Sequence, residues 1–153
     1  MSEFRFRAAA ALELRRTQEH EAGLARARAE AAVREAERVA AVADGVRRTA
    51  QQRLQILERH GSDVATFMWH RNWIVRLTND LAAKRHEVVM LAEAVRQAEQ
   101  RWRQARQRRL ALERMQERAF RRFRAEQLRQ ELKVIDELAR LRYVMADASG
   151  DDR

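Results

Sequence analysis

The stretch AGLARARAEAAVREAERVAAVADGVRRTA, residues 22–50, decides the fold. Small apolar residues recur through it in alternating steps of three and four, at Ala22, Ala25, Ala29, Ala32, Ala36, Val39, Ala43, Val46 and Ala50. Such steps hold one line of side chains on one face of a helix. A seam of nearly pure alanine lets two helix backbones approach closely. After Ala50 the next apolar residue is Leu54, and the series resumes as Leu57, Gly61 and Val64. Two successive steps of four predict a stutter there, a local unwinding of the supercoil.

Toward the C-terminus, His60-Gly61-Ser62-Asp63 offers the best break in the chain, because Gly suits the residue after a helix and Ser or Asp the N-cap of the next. Asp44-Gly45 and Thr78-Asn79-Asp80 are the alternatives, but the three-four series runs through the first of them. The second helix then carries Ile74, Leu77, Leu81, Val88, Leu91, Val95, Ala98, Trp102, Ala105 and Leu112 on one stripe, interrupted by Lys84 and Arg109. A fold-back at 61–63 sets residue i opposite roughly residue 125 − i. Ala36 then meets Val88 to Leu91, Ala22 meets Trp102, and Phe4 and Phe6 come near Phe120 and Phe123.

The fold class expected is therefore all-α, a long antiparallel two-helix coiled-coil hairpin over residues 1–146. Helix 1 is expected over about 4–60, the turn at 61–63, helix 2 over about 64–145, and a disordered tail at 147–153. A hairpin arm of about 60 residues would reach roughly 90 Å and has no cleft for a small substrate. The first arm runs out near residue 124 of the second, yet Leu128, Leu132, Ile135, Leu138 and Leu141 follow with nothing left to cover them. A helix stripe without an internal partner marks a binding face or a dimer seam.

Composition agrees with long helices. The chain has 153 residues with 36% Asp, Glu, Lys and Arg, no Pro and four glycines, too few turn formers for a sheet protein of this length. It has no Cys, which removes disulfide and thiolate chemistry. The opening MSEFRFRAAAALEL is closed by Glu13 and makes a poor signal peptide. No run approaches the roughly 18 apolar residues that span a bilayer. A soluble, cytoplasmic protein is expected.

The net charge of +9 brings acidic partners into view. Most of it is interleaved with Glu, but RWRQARQRR, residues 101–109, holds Arg101, Arg103, Arg106, Arg108 and Arg109 with no acid between Glu99 and Glu113. The ordinary reading is a solvated helix face; nucleic-acid readers add a recognised fold or a platform of stacking aromatics. No two of His20, His60, His70 and His86 share a helix face at metal-ligand spacing, so no metal and no cofactor is expected. Ser2, Ser62 and Ser149 have no partner pattern for nucleophilic chemistry, and no Gly-rich loop is placed to hold phosphate. Nothing suggests an enzyme. The cluster Phe67, Met68, Trp69 and Trp73 cannot fit one seam together, so at least one ring is expected outside, either plugging the turn or anchoring a partner.

Several stretches in order resemble one family. FRFRAAAALELR sets an aromatic-basic pair before a Leu-x-Leu-Arg helix, here Leu12, Leu14 and Arg15. RWRQARQRRLALERMQER, from Arg101 to Arg118, and ELKVIDELA, from Glu131 to Ala139, follow with the right spacing. Over nearly its full length the sequence is similar to the FliJ family, coiled-coil components of the flagellar type III export apparatus. Ala8 to Ala11 depart from it, standing where larger apolar residues are usual. The resemblance implies a non-catalytic role in bacterial flagellum biogenesis and motility, at the inner face of the cytoplasmic membrane. It implies as partners the hexameric export ATPase, bound as a stalk is bound in rotary ATPases, the cytoplasmic domain of the export gate FlhA, and export chaperones. Trp73 and Leu77 fall on the family's gate-binding positions, with Asp80 and Lys84 on further positions where the residue types differ. For the ATPase ring the candidates are Arg101, Arg108, Arg109, Leu128, Leu132, Ile135 and Leu138. The rival readings are the stalk protein of a virulence type III system, a basic nucleic-acid-binding rod, and a coiled coil that dimerises through residues 125–145.

Overall fold

The computed structural model describes residues 3–148. Among them there are two helices and no strand: α1, Ala9–His60, and α2, Val64–Ala148, packed against each other as an all-α hairpin. The paired lengths divide into two units, Thr17–Ala105 and the residues up to Arg16 with those from Arg106 onward.

In the unit Thr17–Ala105 the helices are joined through Gly61, Ser62 and Asp63. Gly61 has φ 81°, in the left-handed region that costs a residue with Cβ and lets the chain leave α1 sharply. Asp63 caps α2, its carboxylate accepting from the Thr66 amide at 3.1 Å and the Thr66 hydroxyl at 2.6 Å. These bonds, the hydroxyl first, hold the Asp63 carboxyl below its usual range.

The seam of α1 differs from the line of small residues in its sequence. The inward residues are Ala22, Ala29, Ala36, Ala43, Ala50 and Leu57, alternating with Arg26, Val33, Ala40, Arg47 and Leu54. That is an unbroken seven-residue repeat, so the stutter expected after Ala50 is absent. Ala25 and Val46, expected on the seam, are exposed, and Arg26 and Arg47 take the inward positions instead. A long arginine can do so because its aliphatic stem is covered while its head finds a partner. The Arg26 guanidinium lies 4.7 Å from the Trp102 ring centre, and Arg47 bonds Asp44 and Gln51.

On α2 the stripe read from the sequence is the seam, extended by Phe67 and His70, and it includes Lys84 as a half-buried member. A Cβ on Gly23 would lie 3.6 Å from Trp102, close to the pairing of Ala22 with Trp102 read from the sequence. Leu81 is 3% exposed, and Ala36, Ala40, Ala43 and Ala50 of α1 are all buried. Burial of such a leucine stabilises by roughly 1.5–3 kcal/mol. Beside it Asp44, 9% exposed, accepts from Arg47 at 3.0 Å and pairs with Arg48 at 2.5 Å and with Arg85 of α2 at 3.8 Å. The Arg47 hydrogen bond, with the Arg48 charge behind it, keeps the Asp44 carboxyl below its usual range.

In the other unit α1 begins at Ala9 rather than about residue 4. Residues 3–8 alternate, Phe4, Phe6 and Ala8 half-buried with Glu3, Arg5 and Arg7 exposed, a period of two that no helix can give. Phe4 meets Phe120 edge-on at 5.2 Å and Phe123 at 5.6 Å. Leu12, 2% exposed, is the anchor of this unit. Glu113 accepts from Arg109 at 2.6 Å and from Arg16 at 3.3 Å, which holds its carboxyl below the usual range, with Arg109 the larger cause. α2 runs on to Ala148, so residues 147 and 148, expected in the tail, are helical; no Gly or Pro stands between Val64 and Ala148 to stop it. The rest of that expected tail, 149–153, lies outside the described residues.

Candidate partner-binding surfaces

Two outward faces carry more apolar surface than solvated helices normally show. The first is in the unit Thr17–Ala105. The aromatic cluster divides there: Phe67 turns into the seam, whereas Trp69 is 61% and Trp73 40% exposed. Trp69 and Trp73, four residues apart, lie on adjacent turns with their rings 17° from parallel and 6.3 Å between centres. Trp69 also meets His70 edge-on at 4.9 Å. α1 presents Val42 and Val46 to the same hollow, and the helices line a groove of about 470 Å³ to which Gly45, Thr49 and Ala50 also contribute. At Gly45 a Cβ would meet nothing within 4 Å, so the missing side chain leaves the groove wider than any other residue would.

The four residues proposed from the sequence for the gate lie on one line of α2, in steps of four, three and four, and differ in exposure. Trp73 lines the groove. Leu77 and Lys84 are half-buried in the seam, and Asp80 stands outside it, holding the Lys84 ammonium at 2.6 Å. Val42, Gly45, Val46 and Trp69 belong to the groove and were absent from that set. The available signal was the spacing of Val42 and Val46, four residues apart like the tryptophans of the same hollow; it was masked by placing Val46 on the seam.

The second face is on α2 in the other unit. Leu128, Leu132, Ile135 and Leu138 are 57%, 52%, 59% and 55% exposed. They do not prolong the seam. Its seven-residue repeat, carried through Gln116, Ala119 and Phe123, falls next on Glu126, Gln130, Lys133, Glu137 and Arg140, all polar and exposed. Leu128, Leu132 and Ile135 instead occupy the line opposite the seam, and Val134 and Leu138 flank it. The stripe past residue 124, taken in the sequence as an overhang of the seam, is thus a separate face turned away from α1. More of α1 would not cover it.

The basic candidates separate as well. Arg101 and Arg108 are exposed, seven residues apart on one side of α2. Arg109 is a half-buried seam residue whose guanidinium is committed to Glu113. No group of three His, Asp or Glu stands close enough to hold a metal ion among the described residues, and no helix there is long and apolar enough to cross a membrane.

The model of one protein family, described as flagellar FliJ protein, matches residues 8–147. No curated protein and no solved structure matches the chain.

Proposed function

Because the chain belongs to the FliJ family of flagellar proteins, which gives it a role related to flagellar export, we propose that it is a non-enzymatic binding component that joins three partners of the type III export apparatus. The hexameric export ATPase takes the outer apolar face of α2, Leu128, Leu132, Ile135 and Leu138, with Arg101 and Arg108 meeting acidic loops. The cytoplasmic domain of the FlhA gate takes the groove at Trp73. Export chaperones are the third partner, and the protein works in the cytoplasm, at the inner face of the membrane.

The observation that carries this reading is the row of leucines and isoleucine left more than half exposed on a helix whose family is flagellar. Each contributes roughly 1.5–3 kcal/mol when fully buried, a driving force that the chain itself leaves unused. For the gate, the support is the stacked pair Trp69 and Trp73 at the rim of an apolar groove, the residue type that dominates binding hot spots. Leu77 and Lys84 act on that surface from the seam, by fixing α2 beneath the tryptophans, and Asp80 by fixing Lys84.

The test is turnover of the purified export ATPase with and without the full chain. Leu132→Asp with Ile135→Asp, or truncation after Arg124, abolishes stimulation while circular dichroism still shows the paired helices. Undiminished stimulation by either variant refutes the assignment. In parallel, Trp69→Ala with Trp73→Ala weakens binding to the FlhA cytoplasmic domain with little change in melting temperature.

A further inference from the structure

The outermost line of α2 changes character along its length. Opposite the seam, in alternating steps of four and three, it reads Arg114, Arg118, Arg121, Ala125, Leu128, Leu132, Ile135 and Ala139, every one exposed. Three basic residues are followed by five apolar ones on a single ridge. Between 106 and 124 there are eight arginines against two glutamates, so a surplus of six of the chain's +9 sits beside the basic half. The two glutamates neutralise one of the three ridge arginines. Glu113 faces the seam side and takes Arg109 and Arg16, while Glu117 is held by Arg121 alone. Arg114 and Arg118 meet no carboxylate among the described residues; Arg118 donates to the carbonyl of Arg114 at 3.3 Å. Shallow hollows flank both halves, one beside Arg114, Met115 and Arg118, the other beside Leu128 and Gln127.

We propose that residues 114–139 of α2 form one docking strip for a protein helix that carries acidic side chains along one half and apolar side chains along the other. This rests on the reading of the leucine row as a docking surface and adds to it the arginines, the face, and the order of chemistry in the partner. A helix laid along the strip matches a row at three-four spacing with a row of its own, its carboxylates over the arginines and its apolar residues over the leucines.

Other occupants fit less well. A helix lying in a bilayer surface has basic residues beside its apolar face, around the circumference, whereas here the two follow each other along one line. Nucleic acid would use the arginines and leave the apolar half in water. A second copy supplies no carboxylates for the ridge: parallel pairing sets each arginine on its own counterpart, and antiparallel pairing centred between Glu131 and Leu132 sets Arg121 against Arg142, which lies on the same line.

The probe is a synthetic helical peptide with three glutamates and then four leucines in four-three steps. A second peptide of the same composition, with the two residue types alternating along the line, is the control. Fluorescence anisotropy with the full chain should show the ordered peptide binding about tenfold tighter than the control, and Arg114→Glu with Arg118→Glu and Arg121→Glu should weaken it by about tenfold or more. Salt should weaken the wild type much more than the triple variant. Because all three arginines are exposed, circular dichroism of the triple variant should match the wild type. Equal binding of the two peptides, or undiminished binding by the triple variant, overturns the proposal. So does a dimer in sedimentation equilibrium that the ordered peptide cannot dissociate, or tighter arginine-dependent binding to phosphatidylserine vesicles or duplex DNA than to the ordered peptide. If the triple variant still stimulates the ATPase fully and the ordered peptide does not compete, the strip fails while the ring assignment stands.

Discussion

Residues 64–123 and residues 126–146 of α2 are similar in kind, charged helix with an apolar residue every three or four positions, yet the first length is held by α1 and the second is offered to solvent. The difference is phase. Up to Phe123 the apolar residues keep one seven-residue repeat; between Phe123 and Leu128 the line steps by five, and the stripe moves to the opposite side of the helix. A phase shift of that kind turns a seam that stabilises the chain into a face that another molecule can use, without any change in composition. It follows that on the seam, stability and function should fall together, and on the outer face they should separate.

The largest expected effect comes from a leucine on each side of that shift. Leu81→Ala empties a site 3% exposed and should cost roughly 2–5 kcal/mol by thermal or denaturant unfolding. Leu132→Ala, at a site 52% exposed, should stay within about 0.5 kcal/mol of the wild type and still impair ATPase stimulation. Comparable losses of stability would mean that something within the chain covers Leu132.

The second pair of substitutions tests the phase of the seam in α1. Ala40 is buried and Ala25 exposed, although both belong to runs that read as small and apolar. Ala40→Leu should overpack the close approach of the helices and cost roughly 1–3 kcal/mol, whereas Ala25→Leu should be nearly neutral. The reverse ranking would restore the alanine line of the sequence as the seam.

Those two alanines also show what the sequence could and could not tell. The turn was legible because Gly61 and Asp63 have specific backbone jobs, and the α2 stripe because its members are large and have nowhere else to go. Alanine carries no such signal, since it is tolerated on either side of a helix, and a line drawn through Ala25, Ala32, Val39 and Val46 looks as good as the one through Arg26, Val33, Ala40 and Arg47. The true line contains two arginines, and only their contacts with Trp102 and Asp44 explain why they lie inward. At the binding faces, Trp73 stood out by type, but the groove needed Val42, Gly45 and Val46 from a helix far away in sequence. The start of α1 at Ala9 was hidden because Phe4 and Phe6 were read by type rather than by their alternation.

A smaller effect is expected on acidification. The Asp44 carboxyl is depressed in the folded chain, so its contribution is complete above the unfolded value near 3.8 and is lost as pH falls through the folded one. Glu113 acts in the same sense below its ordinary 4.5. Melting temperature should therefore fall as the pH drops below about 4.5, and Asp44→Asn should flatten the lower part of that fall while lowering the neutral-pH melting temperature by a few degrees. An acid limb unchanged by Asp44→Asn would show that the Arg47, Arg48 and Arg85 contacts contribute nothing.

The smallest change has the opposite sign. Gly45 lies within α1 on its outer side, where a glycine costs roughly 0.5–1 kcal/mol relative to alanine, and a Cβ there would meet nothing within 4 Å. Gly45→Ala should therefore raise stability by up to that amount. The same methyl group would stand on the α1 lining of the groove beside Val42 and Val46, taking space from a partner's side chain. If the groove is the gate-binding surface, Gly45→Ala should weaken binding to the FlhA cytoplasmic domain severalfold in titration calorimetry while the melting temperature rises. A rise in stability with unchanged affinity would mean that the partner touches the tryptophans without entering the groove, and a fall in both would place Gly45 on the packed side of α1.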